Sequence, residues 1–211
     1  MSASVHACGA VYRIHTPRLV LRCWQPADAP LLKEAIDASI EHLRTYMPWA
    51  AGEPQPLQAK IDLIRGWRSS FDDDRDYVYG IFNREETRVL GGCGLHSRSG
   101  PAARGIGYWI HKDFTHQGYG TEIAAALTQV AFAQLHLELV EIHVNVNNAY
   151  SAAIPRKLGY TLDGTLRKRL RETDGELHDL MVWSMMPGEY PGSPAAAFAI
   201  ETFDAIGRRF P

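Results

Sequence analysis

Residues Thr115-His116-Gln117-Gly118-Tyr119-Gly120-Thr121 have the makings of an anion cradle. A helix start carries unpaired backbone N–H groups and the positive end of the helix dipole, which suits a pyrophosphate. Gly118 and Gly120 let the backbone come close to a ligand with no Cβ in the way. Thr121 can cap the helix or reach a phosphate oxygen. A dinucleotide fingerprint would need glycine where Ile123 stands, and the turn does not open a βαβ unit, so that reading is rejected. Taken alone, a G-x-G turn reads better as a plain helix cap. A second group follows downstream. His143 shares one strand face with Asn145 and Asn147, while Ile142, Val144 and Val146 form the other. Imidazole titrates near neutrality, which makes His143 a candidate base. A lone strand histidine reads better as a hydrogen-bonded structural group. Asn148 suits the N-cap of the next helix, and Ser151 lies one turn along it.

These groups need elements to hold them. Arg18–Arg22 reads as a strand, and a helix starts at Pro26-Ala27-Asp28, with Leu31, Leu32, Ala35 and Ile36 at helical spacing. Glu41–Trp49 reads as a second short helix and Leu57–Phe71 as a third. The period then changes: Tyr77–Phe82, Val89–Leu95 and Ile106–Ile110 read as strands. Thr121–Leu135 is the strongest helix. Val140–Val146 alternates as a strand, and Asn148–Leu158 is a short helix closed by Gly159. Thr161–Leu170 and Leu177–Met185 pair as a hairpin across Thr173-Asp174-Gly175. The tail beyond Pro187 adds one helix, roughly Pro194–Ile206, and residues 1–15 form a loose arm. The order implies an α/β (α+β) domain over residues 16–186 with a mixed, partly antiparallel sheet.

The run Glu141–Tyr160, with Asn148, Ser151 and Lys157-Leu158-Gly159-Tyr160, resembles the strand–N-x-x-S–helix–K-L-G-[FY] block of the GNAT acetyltransferases. Gly107-Tyr108-Trp109-Ile110 and Gly118-Tyr119-Gly120-Thr121-Glu122 resemble the G-Y-W-[IL] strand and phosphate turn of its RimJ/RimL-like branch. Thr16-Pro17-Arg18-Leu19 with Leu21-Arg22, and Leu43-Arg44 with Met47-Pro48-Trp49, resemble its first strand and second helix. The match runs from about Thr16 to Ser184.

The resemblance implies acetyl-coenzyme A as co-substrate and transfer of acetyl to a primary amine on a protein N-terminus or small molecule. It implies a sheet whose strands Ile106–Ile110 and Val140–Val146 splay, their freed backbone groups bonding the pantetheine arm. Backbone groups near Trp109 and Ile110 would hold that arm, and the amides of Gln117, Gly118, Tyr119, Gly120 and Thr121 the pyrophosphate. Asn148 would both cap and contact pantetheine. His143 stands at the spacing from Asn148 where relatives often place a glutamate base. Ser151 matches a serine near the sulfur, suited to stabilising the thiolate. Tyr46, Trp49 and Trp67 would wall the acceptor pocket. The chain departs from the family at Thr115, often Gln or Arg, and at Gly105, often acidic. Pro155 stands where many relatives carry a tyrosine acid, which excludes that acid here. Tyr150 reads as packing, Arg156 and Lys157 as an exposed charged face.

Bulk properties narrow the rest. The 211 residues are 45% hydrophobic and 22% charged, with a net charge of -2, as in an ordinary globular domain without a basic nucleic-acid footprint. Arg167-Lys168-Arg169 with Arg171 reads as a solvated hairpin end, and Asp72-Asp73-Asp74 as a solvated loop start in preference to an attractor for a cationic amine. Cys8, Cys23 and Cys93 have no metal or redox spacing, no metal motif links the histidines, and no apolar run reaches membrane-spanning length. A cytoplasmic protein with no nucleic-acid or membrane partner is expected. Two other readings compete: a non-catalytic acyl-coenzyme A-binding module, and an interaction scaffold that forms a homodimer through the tail.

Overall fold

The computed structural model describes residues 9–97, 102–171, 173 and 175–211. Cys8, and Glu172 and Asp174 of the hairpin turn, lie outside the described residues. Nine strands form one sheet: β1 (Arg13–His15), β2 (Leu19–Cys23), β3 (Tyr77–Asn83), β4 (Val89–His96), β5 (Ala103–Ile110), β6 (Leu139–Asn145), β7 (Thr161–Arg171), β8 (Leu177–Met185) and β9 (Glu201–Phe203). Their spatial order is β7-β8-β6-β5-β4-β3-β2-β1-β9. Every neighbouring pair is antiparallel except β5 and β6.

Helices cover both faces. On one, α1 (Ala29–Arg44) and α2 (Leu57–Asp72) pack on Val20, Val78, Phe82 and Val89. α1 buries Ala29, Leu32, Ala35, Ile36 and Leu43, a stripe at three- and four-residue spacing. That stripe has no breaker at Ser39–Leu43, so one helix replaces the two expected, and Pro48–Gly52 is a 3₁₀ turn. On the other face lie α3 (Tyr119–Gln129) and α4 (Ala149–Leu158). α3 buries every residue from Glu122 to Thr128, because the sheet covers one side and the C-terminal segment the other. It passes into a π turn over Val130–Gln134, where Leu135 N–H reaches back to the Val130 carbonyl at 3.0 Å.

The tail corrects the expected helix over Pro194–Ile206. Tyr190–Gly192 and Pro194–Ala197 are 3₁₀ turns, and Glu201–Phe203 is a strand paired with β1. Pro191 and Pro194 each sit in the first turn of a short 3₁₀ segment, and the β1 edge offers the residues that follow a ladder in place of a helix. The strand β1 also takes Arg13–His15 out of the expected loose arm.

Candidate active site

The parallel pairing of β5 and β6 runs from Ala103↔Leu139 to Ile106↔Ile142 and ends there, although β5 continues to Ile110 and β6 to Asn145. The two strands therefore separate where the sequence resemblance places the splay. A cavity of about 810 Å³ occupies this region. Gly105, Gly107, His143, Asn145, Asn148 and Ser151 contribute to its walls. Val140, Ile142 and Val144 bury the opposite face of β6 in the core.

The glycine turn precedes α3. Gly118 is the residue before α3 and sits at φ +80°, a left-handed conformation that glycine adopts without strain. His116 also lies at φ +60°. Backbone that alternates into this region turns successive N–H groups toward one concavity. The first helical bond runs from Glu122 N–H to the Gly118 carbonyl at 3.2 Å, so the amides before it have no helical partner. Arg18 fixes the turn from outside. Its Nη1 donates to the Gln117 carbonyl at 2.8 Å, its Nε to Glu122 at 2.7 Å, and its guanidinium lies over the Tyr119 ring. Gly120 has a packing task as well. A Cβ there would stand 2.8 Å from Ile154 Cδ1, so its absence lets α4 pack on α3.

Asn148 caps α4, its side chain accepting from Ser151 N–H at 3.0 Å. α4 continues through Pro155, which is buried. Ser151 Oγ and Tyr108 Oη share a hydrogen bond of 2.9 Å. Burial pushes the Tyr108 phenol up to about 12, while the bond to Ser151 pulls it down. Tyr108 therefore stays protonated and can donate. Sequence reading used Tyr108 only as part of a motif; its link to Ser151 exists because β5 passes beneath α4.

His143 Nε2 lies 3.2 Å from Glu141 Oε2 on the same strand face. Glu141 was not singled out from the sequence, although i and i+2 on a strand always share a face. Across the cavity, His96 Nδ1 lies 3.1 Å from both carboxylate oxygens of Asp76. This second histidine–carboxylate pair was also missed. Its members are twenty residues apart and meet only when β3 and β4 pair.

Tyr46, Trp49 and Trp67 all line the cavity. Tyr46 Oη donates to the Asn147 carbonyl at 3.2 Å, tying the end of α1 to the β6–α4 loop. Trp49 meets Trp109 edge-on at 6.1 Å, and Trp67 tilts against Trp24 at 6.0 Å. Tyr150 is exposed rather than packed in the core and meets His116 edge-on at 4.5 Å. The acidic run does not face the cavity. Asp72 accepts from Tyr12 and Arg68, Asp73 pairs with Arg75, and Asp74 accepts from Tyr77. Each closes the end of α2 instead. Glu53 reaches the cavity wall with its charge held by the buried Lys60.

A separated pair of central strands, a glycine turn at a helix start and a capped helix between them now stand together. Residues 18–161 match the family model of the acetyltransferase (GNAT) domain. The chain belongs to the GNAT acetyltransferase family. It is 28% identical over 175 residues to YdaF of Bacillus subtilis (strain 168), named as a candidate ribosomal N-acetyltransferase; the match covers 82% of this chain and 94% of that one. Among solved structures, RimL, the ribosomal L7/L12 alpha-N-protein acetyltransferase, in complex with coenzyme A superposes with TM-score 0.74 at 20% identity, covering 81% of this chain and 95% of that one. RimJ of Mycobacterium smegmatis in complex with a coenzyme A disulfide gives 0.73 at 21% identity, over 89% and 91%. These likenesses establish the GNAT fold and the RimJ/RimL-like resemblance. No helix among the described residues is long and apolar enough to cross a membrane.

Proposed function

We propose that this GNAT enzyme transfers the acetyl group of acetyl-coenzyme A to a primary amine, on a protein N-terminus or a small molecule, by direct attack in a ternary complex. The separation of β5 from β6 beyond Ile106↔Ile142 carries the reading, because it frees backbone groups that a pantetheine arm can bond as an added strand. Solved neighbours that hold coenzyme A in the same fold support the cofactor. The amides of Gln117, Gly118, Tyr119, Gly120 and Thr121 take the pyrophosphate. The backbone of Ile110, with Asn148, takes the pantetheine; the Trp109 carbonyl expected beside it is turned toward β4 instead.

The chemistry needs a base for the amine and a stabiliser for the departing thiolate. His143 is the base. A carboxylate only accepts hydrogen bonds, so Glu141 favours the tautomer with the proton on Nε2 and leaves the Nδ1 lone pair available. Ser151 donates toward the sulfur, with Tyr108 able to donate to Ser151 in turn. Tyr46, Trp49 and Trp67 shape the acceptor side.

Calorimetric titration with acetyl-coenzyme A tests the core of this reading. Saturable binding by the wild type that Gly118→Asp abolishes is expected, since the substitution adds a negative charge and a side chain at a left-handed position. No binding by the wild type would end the proposal. Binding without thiol release across a panel of primary amines would favour the non-catalytic module.

A further inference from the structure

Converting an alkylammonium into an amide removes two protons from nitrogen. The first must leave before attack, to expose the lone pair. The second leaves the tetrahedral adduct, as the carbon–nitrogen bond has formed and the carbon–sulfur bond breaks. One proton ends on the coenzyme A sulfur and one in solvent. His143 can hold one proton at a time.

His96 and Asp76 form a second proton-accepting pair in the same cavity. The register places His96 directly opposite Gly105, and Gly105 directly opposite Glu141. Residues in register share a sheet face, so both histidine–carboxylate pairs open on one side, flanking Gly105. Two strand spacings separate His96 from Glu141, roughly 10 Å between Cα atoms. His143 stands two residues beyond Glu141, past the last β5–β6 pair, so the opening between the two strands lies between the two histidines. The glycines make the arrangement possible. A Cβ on Gly94 would stand 2.7 Å from His96 Cε1, and one on Gly107 would stand 3.1 Å from Cδ2 and Nε2. The ring thus lies over two bare backbones. Asp76 accepts from Nδ1, which leaves the Nε2 lone pair as the basic site.

Other charged groups reach this cavity but are engaged or remote. Glu53 is paired with buried Lys60 from α2, and Glu141 holds His143 on β6. Arg169 enters from β7 on the far side of β6 and β8, and Cys93, whose thiol burial raises, sits on β4 itself.

We infer that His96, positioned by Asp76, takes the first proton from the incoming ammonium, and that His143 takes the second from the tetrahedral adduct. This rests on the acetyl-transfer reading above.

The test uses ethylamine and 2,2,2-trifluoroethylamine, similar in size, the latter far less basic and mostly neutral at pH 7. Acetyl-coenzyme A-dependent thiol release is followed from neutral to alkaline pH for the wild type, His96→Gln, Asp76→Asn and His143→Gln. His96→Gln should lower kcat/KM for ethylamine about 100-fold at pH 7, in the range for losing a positioned base. The deficit should shrink as pH rises and be nearly absent with trifluoroethylamine. Asp76→Asn should show the same pattern more weakly, and His143→Gln a loss with both amines at every pH. An equal His96→Gln deficit with both amines at all pH values, or none with either, overturns the inference while leaving acetyl transfer intact. A wild type that binds acetyl-coenzyme A but releases no thiol with these amines or with any of the panel of primary amines removes the transfer reading and this inference with it.

Discussion

Single side chains set the proton inventory of this molecule. Tyr108 and Ser151 join the two central strands' machinery through one hydrogen bond, and the phenol stays protonated because burial disfavours its anion. His111 shows the reverse case for a base. Burial holds its imidazole below the ordinary value, and its Nδ1 accepts from Asp113 N–H at 3.2 Å. Protonation would cost both its dry site and that bond. The unfolded chain therefore takes up the proton more readily, and stability falls as pH drops through about 6.5 toward the lower folded value. His15 and His42 are lowered in the same direction. Melting temperatures of His111→Gln should thus decline less between about pH 7 and pH 5 than those of the wild type. Parallel declines would show that His111 does not contribute.

At the scale of elements, the β4–β5 contact is built around bare backbone. A Cβ on Gly91 would stand 2.1 Å from the Trp109 carbonyl oxygen, and one on Gly92 2.6 Å from the Trp109 indole nitrogen. The Trp109 carbonyl is thereby turned toward β4. Alternation along the strand gives the open edge beside β6 to backbone groups of Tyr108 and Ile110. Gly91→Ala should displace Trp109 at the backbone, with an overpacking cost of about 1–3 kcal/mol in denaturant unfolding. Acetyl-coenzyme A affinity should fall in parallel, because the shifted strand carries the edge proposed to bond pantetheine. Unchanged stability would show that β5 moves aside without strain.

Across the whole molecule, the C-terminal segment locks one end of the sheet to the helix that follows the phosphate turn. β9 extends the sheet beyond β1, Phe203 meets the His15 ring at a tilt, and Ala195 is fully buried. Gln129 of α3 donates to the carbonyls of both Ala195 and Phe198, at 3.0 and 2.7 Å. Gln129→Ala leaves two carbonyls without that donor, a loss of about 1–3 kcal/mol. For a chain of this size that lowers the melting temperature by roughly 5 °C. Limited proteolysis should then cut near Phe198 faster than in the wild type. Equal cleavage rates would mean that β9 alone holds the tail.

The helices α2 to α4 and the inner strands were legible in the sequence because each has its own periodicity and punctuation: Asn148 and Gly159 around α4, the alternation of β6, the glycines ahead of α3. The family and the glycine turn ahead of α3 were legible because they reside in contiguous motifs. What stayed hidden depended on partners far along the chain. The tail looked helical from Ala195-Ala196-Ala197, yet its fold was decided by the β1 edge, which no local pattern reveals. That Gly120 also makes room for Ile154 of α4 could not be read from its own segment. The Tyr108–Ser151 bond, the Asp76–His96 pair and the Arg18 clamp each join elements whose pairing register, not composition, brings them together. The sequence by itself determined which residue types could carry acetyl transfer and the local shape of the segments bearing them. Only the tertiary structure decided which carboxylate faces which histidine, because a side chain's neighbours across a sheet are set by strand order and register, and those follow from packing of the whole domain.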